Sequence, residues 1–229
     1  MKGLYIVFRP FSLVITAAKI SRTRHIAEVL TRNGLGFLAE RAGLTRFLSR
    51  WRTRKVEENV QVTQMSVPQR VRHTLEELGP TYIKLGQILS TRPDLLPSDY
   101  IIELSKLLDA TPPVPTDEIR DIIQKELDAS LEHLFQDFSS DPIASASIGQ
   151  VHLATLQDGS KVAVKVQRPG VQSTIRADLD ILLAQARFVE SRSETLKSYG
   201  LVDIVEEFSQ ALRDELDYTV EGRNADKLR

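Results

Sequence analysis

Apolar and polar positions alternate most clearly in residues 150–167, where the pattern predicts a β-hairpin. Gln150–Thr155 (QVHLAT) is rich in strand formers, Gln157–Ser160 (QDGS) holds an Asp-Gly turn signal, and Lys161–Gln167 alternates again. Strand side chains change face at every residue, so Val162, Val164 and Val166 share one face and Ala163, Lys165 and Gln167 the other. Lys165 therefore points away from the valine side. Arg168-Pro169-Gly170 ends the second strand, and the run of small side chains from Ala144 to Gly149 reads as a loop leading into the first.

Elsewhere the pattern is helical. Pro68–Leu78 reads as one helix stopped by Gly79, with Pro80 in the first turn of the next. On that second helix Lys84 and Gln87, three apart, share a face, while Tyr82, Leu85 and Leu89 fall near another. Gly86 in its interior costs about 1 kcal/mol relative to alanine, which predicts that another group approaches the backbone closely there. This helix ends before Arg92-Pro93. Residues 98–138 read as two helices, Asp99–Leu108 and Thr116–Leu127, joined by the proline-rich Thr111–Pro115. Thr116 with Asp117 and Glu118 makes a favourable helix start. Asp178–Ser191 carries another helical period. A final helix is expected over Leu201–Arg229, with Ile204, Val205, Phe208, Leu212 and Leu216 as its apolar stripe.

At 229 residues, 41% hydrophobic and 27% charged, the chain has the composition of a globular protein. The absence of cysteine excludes a disulfide framework, a thiolate metal site and a cysteine nucleophile. The four histidines, His25, His73, His133 and His152, have no ligand spacing, so no metal site is expected. A formal net charge of −1 hides a segregation: residues 1–60 hold 12 Lys/Arg against 4 Asp/Glu, and the remainder 18 against 27. The basic end includes an apolar run, Leu4–Ala18, interrupted by Arg9 and Pro10 and well short of the roughly 20 residues a membrane-spanning helix needs. No span is expected, and no small-residue cleavage site marks a signal peptide. The segment reads either as a basic helical extension packed on its own protein or as a contact for anionic lipid or an acidic partner. Trp51 among Arg50, Arg52 and Arg54 hints at nucleic acid, but the chain beyond residue 60 is acidic, so no nucleic-acid partner is expected.

The chemistry gathers around Lys165. Val162-Ala163-Val164-Lys165 matches the kinase pattern in which a strand lysine holds nucleotide phosphates and pairs with a helix glutamate. Ala144-Ser145-Ala146-Ser147-Ile148-Gly149 stands where a kinase places its glycine-rich cover, with small side chains that admit phosphates to backbone amides but less conformational freedom than glycine. On the hairpin alone, Lys165 reads equally as an ordinary strand lysine. In the final helix Asp214, Asp217 and Glu221 fall on one face and Glu215 on another. Glu215 and Glu221 are the candidate partners of Lys165, and a solvated acidic face is the alternative.

Four motifs in order, Lys84-Leu85-Gly86-Gln87, ASASIGQVH (144–152), VAVKVQRPGV (162–171) and ELDYTVEGRN (215–224), resemble the UbiB/ADCK/AarF family of atypical kinase-like proteins over about residues 61–229. The resemblance implies an α+β fold: a protein-kinase-like N-terminal lobe, with a small antiparallel sheet and helices, preceded by a helical extension. It divides the chain into a basic helical segment 1–60, a helical extension 61–138 with the K-x-G-Q motif, and a partial kinase-like lobe 139–229. It implies binding of ATP or ADP with Mg2+ and a role in isoprenoid-quinone or lipid metabolism. Lys165 corresponds to the phosphate lysine, Ala144–Gly149 to the alanine-rich loop, Glu221 to the helix partner, Glu215 and Asp217 to the E-x-D element, and Lys84, Gly86 and Gln87 to the signature that folds across the cleft.

After Arg229 the sequence has neither a catalytic-loop aspartate with its asparagine nor a D-F-G aspartate. The expectation is the N-terminal part of a longer protein without its C-terminal lobe, holding no catalytic residue of its own. A bacterial or organellar protein, cytoplasmic or peripheral to a membrane, with quinone- or lipid-pathway proteins as partners, completes these expectations. The competing reading is a non-catalytic scaffold that binds a membrane or a partner enzyme through residues 1–60 and the Lys84–Gln87 helix.

Overall fold

The computed structural model describes residues 11–44, 64–107, 112–192 and 197–219, with side chains from residue 19 onward. They are helices and one small antiparallel sheet, the composition of a kinase-like N-terminal lobe. The chain forms two compact units, residues 1–74 with 176–210 and residues 75–175 with 211–229.

The first unit is helical. It contains α1 (Phe11–Arg32), α2 (Gly36–Arg41) and most of the long helices Val171–Glu190 and Leu201–Leu216. Ile26, Ala27 and Val29 of α1 are buried at helical spacing. Arg22 grips the fully buried carboxylate of Asp178 with both ends of its fork, Nε to Oδ1 at 2.6 Å and Nη2 to Oδ2 at 2.9 Å. A carboxylate taken out of water needs such a partner. Trp51 and its neighbouring arginines lie outside the described residues, as does the apolar run before Phe11.

The second unit holds the sheet. Before it come the end of α3 (Val67–Leu78), then α4 (Pro80–Leu89), α5 (Ser98–Leu104), α6 (Thr116–Leu127) and the short α7 (Leu131–Leu134). Gly79 separates α3 from α4 at φ 93°, a conformation that favours glycine, and Pro80 opens α4, as the sequence predicts. The expected close approach at Gly86 is also found. A Cβ there would stand 2.3 Å from Leu107 Cδ1 and 2.7 Å from Leu75 Cδ1, so the missing side chain lets neighbouring leucines pack against the helix.

The predicted hairpin is β3 (Gly149–Leu156) and β4 (Lys161–Gln167), with Gly159 at φ 85° in the turn. Their register runs antiparallel from Gly149 opposite Gln167 to Thr155 opposite Lys161. The opposite edge of β3 carries two further strands, β1 (Phe135–Phe138) and β2 (Ala144–Ser145). Both depart from the sequence reading. Residues 135–138 fell in a stretch read as helical, and Ala144–Ser145 in a loop; each is extended because β3 offers a free edge of donors and acceptors. The valine face of β4 turns inward, with Val166 buried beside Ile119, Ile123, Leu131, Phe135 and Ala154. That core is what leaves Lys165 on the outer face.

Two helices differ in length from the sequence reading. The helix expected from Asp178 begins at Val171 as α8 (Val171–Glu190), directly after the Pro-Gly break. The helix expected to reach Arg229 ends at Leu216 as α9 (Leu201–Leu216). Gln167 Nε2 donates to the Leu216 carbonyl, and Asp217 accepts from the Thr219 amide at 3.0 Å, so one side chain closes the helix while the next starts a new turn. Asp214 and Asp217 are therefore not on one continuous helix face, and Glu221 lies outside the described residues.

Candidate functional site

Lys165 stands on β4 directly opposite Val151 of β3, and its exposed side chain reaches a cavity of about 190 Å3. Ala144, Ala146, Ser147, Ile148 and Gly149 from the predicted loop face this cavity, joined by Val151, Glu215 and Tyr218. Strand alternation brings Lys165 there. The loop arrives because β2 pairs with β3 and the Ala146 amide donates to the Gly149 carbonyl at 2.8 Å, folding residues 146–149 into a tight turn.

Ser145 does not face the cavity; its hydroxyl accepts from Arg168. Arg168 holds the whole loop from behind. Its Nε donates to the Ala146 carbonyl at 2.7 Å, and Nη2 to Ser145 Oγ and the Pro112 carbonyl, both at 2.8 Å. Its own amide donates to the Ile148 carbonyl at 3.0 Å. Burial lowers the guanidinium pKa from its ordinary value, yet arginine remains charged throughout the useful pH range. The sequence reading used Arg168 as part of a strand-breaking tripeptide and of the VAVKVQRPGV motif, and gave it no role of its own. A charged residue where a strand ends beside a small-residue loop was the available signal.

Behind the loop lies a buried polar chain. Gln150 Oε1 accepts from the Val114 amide at 2.8 Å, and its Nε2 donates to the Val114 carbonyl at 3.3 Å and to His152 Nε2 at 2.8 Å. The Ser139 carbonyl can only accept, so His152 Nδ1 carries the proton in the 2.8 Å bond between them. His152 is thus a structural imidazole stacked on Phe138 at 4.9 Å, and Gln150 ties the proline-rich linker to the sheet.

Of the two candidate carboxylates for Lys165, Glu221 lies outside the described residues and Glu215 has a partner of its own. Glu215 pairs with Lys84, whose Nζ lies 2.7 Å from Oε1, with side-chain exposures of 18% for the lysine and 40% for the glutamate. Lys165 carries its ammonium 4.5 Å from the centroid of the Tyr218 ring. Gln87 shares a helix face with Lys84 but donates to the Leu107 carbonyl at 3.3 Å. Asp217 caps Thr219 and faces a second hollow of about 410 Å3, bordered by α6 and β4, which Lys165 also lines. The structure thus brings Glu215, Lys165 and most of the loop to one rim, with Lys84 joined to it through Glu215, and leaves Asp217 on another.

Chemically this rim offers a cation, short side chains and backbone. A volume of about 190 Å3 is below the roughly 300–1,000 Å3 of most small-molecule sites, so it suits phosphate groups rather than a whole nucleotide. Among the described residues no group of three or more acids or histidines is placed to hold a metal ion. Also among them, no helix is long and apolar enough to cross a membrane.

Residues 106–229 match the family model of the ABC1 atypical kinase-like domain, more than half of the chain. A probable protein kinase UbiB of Marinobacter nauticus is 46% identical over 166 residues, 72% of this chain and 30% of the relative. A probable protein kinase UbiB of Cellvibrio japonicus is 42% identical over the same shares. The chain thus spans about a third of the length of these curated relatives. Among solved structures, the erythromycin complex of Rv3197 from Mycobacterium tuberculosis is 35% identical and covers 64% of this chain and 37% of that one, with a TM-score of 0.42, too low to speak for the fold.

Proposed function

The chain belongs to the ABC1 atypical kinase-like family, and from that premise we propose that Lys165 and the loop Ala144–Gly149 form the phosphate-holding part of an adenine-nucleotide site. The observation that carries the reading is the convergence of Lys165 and the loop on one cavity. Lys165 supplies the positive charge for ATP or ADP, and Val151 beside it offers an apolar surface. Arg168 keeps the loop in place. Magnesium would arrive with the phosphates, since the described residues supply a cation and backbone rather than metal ligands. Bound nucleotide supplies a transferable phosphoryl group; what this chain contributes is its placement. Glu221 stays the proposed carboxylate partner of Lys165, because Glu215 is held by Lys84.

The UbiB relatives support a role for the whole protein in quinone metabolism, with lipid metabolism as the wider class. The 229 residues by themselves are expected to bind without hydrolysing ATP, because the aspartates that position hydroxyl and metal are absent from the sequence. The test is calorimetry of ADP and ATP with magnesium on the 229-residue chain and on the longest reading frame containing it, each with and without Lys165→Ala. Binding that depends on Lys165 supports the reading; binding unaffected by the substitution, or none in either protein, removes it.

A second reading draws on the other compact unit. Ile20, Phe37 and Leu38 are large exposed apolar side chains, Phe37 at 51%, in the segment that carries the basic excess. This combination favours peripheral contact with an anionic membrane surface or a pathway protein. Liposome binding that weakens with salt and ignores nucleotide supports it.

A further inference from the structure

Tyr218 was not among the residues the sequence singled out, yet it touches both halves of the candidate site. Its ring lies against Lys165, with Nζ 4.5 Å from the centroid. Its hydroxyl reaches the end of the loop, where a Cβ on Gly149 would stand 2.3 Å from it. Only a residue without a side chain leaves room for that oxygen. The backbone just before it is anchored, since Glu215 is paired to Lys84 and the Leu216 carbonyl accepts from Gln167. The chain leading into Tyr218 is thus held independently of Lys165.

We propose that Tyr218 is a positioning residue for Lys165, fixing the ammonium by its aromatic face so that it meets phosphate already ordered. This rests on the nucleotide reading of the site. A free lysine spreads over many rotamers, and immobilising such a side chain on binding weakens affinity by about two- to tenfold. A ring that binds the ammonium beforehand removes part of that loss. The cavity of about 190 Å3 exists with Tyr218 already among its walls, so the ring borders the space rather than fills it.

The experiment compares wild type, Tyr218→Phe, Tyr218→Leu and Lys165→Ala, on the 229-residue chain and on the longest reading frame containing it, with two readouts. In ligand-free protein, NMR of the Lys165 ε-methylene reports the ring directly through an upfield ring-current shift, assigned by its loss in Lys165→Ala. The shift is expected in wild type and Tyr218→Phe and absent in Tyr218→Leu, with thermal melting showing that each variant is folded. In calorimetry with ADP and magnesium, Tyr218→Phe is expected within about twofold of wild type and Tyr218→Leu about two- to tenfold weaker. If Tyr218→Leu binds as tightly as wild type or more tightly, the positioning role is wrong. If the phenylalanine variant fails to restore binding, the ring face is not the agent. If wild type shows the shift but neither protein binds nucleotide, the nucleotide reading falls and the positioning role with it.

Discussion

Replacing Gly86 by alanine sets two effects of known size against each other. Alanine in a helix interior is favoured over glycine by about 1 kcal/mol, so a helix considered alone gains from the change. Here the new methyl meets Leu107 Cδ1 at 2.3 Å and Leu75 Cδ1 at 2.7 Å, with Leu104 Cδ2 at 3.6 Å. Leu104 and Leu107 are buried, so their methyls move only by displacing other core atoms. Overpacking of this kind costs about 1–3 kcal/mol, which leaves a net loss of about 0–2 kcal/mol. Urea unfolding followed by circular dichroism, with the slope checked for constancy, measures it. Leu107→Ala alone should lose about 2–5 kcal/mol by leaving a cavity, and about 1 kcal/mol less in the Gly86→Ala background, where the added methyl fills part of the space. If Gly86→Ala raises stability by the full propensity value, the packing account of this glycine is wrong.

Arg22→Met removes the guanidinium fork from the buried Asp178 carboxylate and should lose about 3–5 kcal/mol, while Arg22→Met with Asp178→Leu recovers most of it; equal losses in the single and double variants would refute this. Arg168→Lys gives up the guanidinium fork that reaches three oxygens, so a loss of about 1–3 kcal/mol and faster exchange of the Ala146 amide are expected by hydrogen–deuterium exchange. For Lys84 and Glu215, half-open to solvent, a double-mutant cycle with Lys84→Met and Glu215→Gln should give a coupling of about 1 kcal/mol or less, falling with salt. The Ser160 amide holds the Asp158 carboxyl below its ordinary range, as the Arg92 side chain does for Asp94. Their folded pKa values are depressed, so the stability they contribute is present above the ordinary carboxylate range and disappears as pH falls through the folded values. Asp158→Asn should therefore flatten the acid side of a melting-temperature profile.

What the sequence determined was local. Alternation in residues 161–167 placed Lys165 opposite the valines, and the valine face is the buried one. Gly79-Pro80 set a helix boundary, and an interior glycine announced close packing at residue 86. These follow from backbone sterics and side-chain period, which neighbouring residues decide among themselves. The tertiary structure decided partners. Glu215 and Glu221 were both open to Lys165 by pattern, and only the approach of α4 assigned Glu215 to Lys84. Phe135–Phe138 became a strand because β3 had an edge to pair, although the surrounding residues allowed a helix. The Leu216 carbonyl at the end of helix α9 found its donor in Gln167, distant in sequence. Tyr218 met Lys165 because that ending turned the chain there, and because Gly149 left room for its hydroxyl. Each of these depends on a group brought from far along the chain, and the period of a local stretch contains no record of which group that will be.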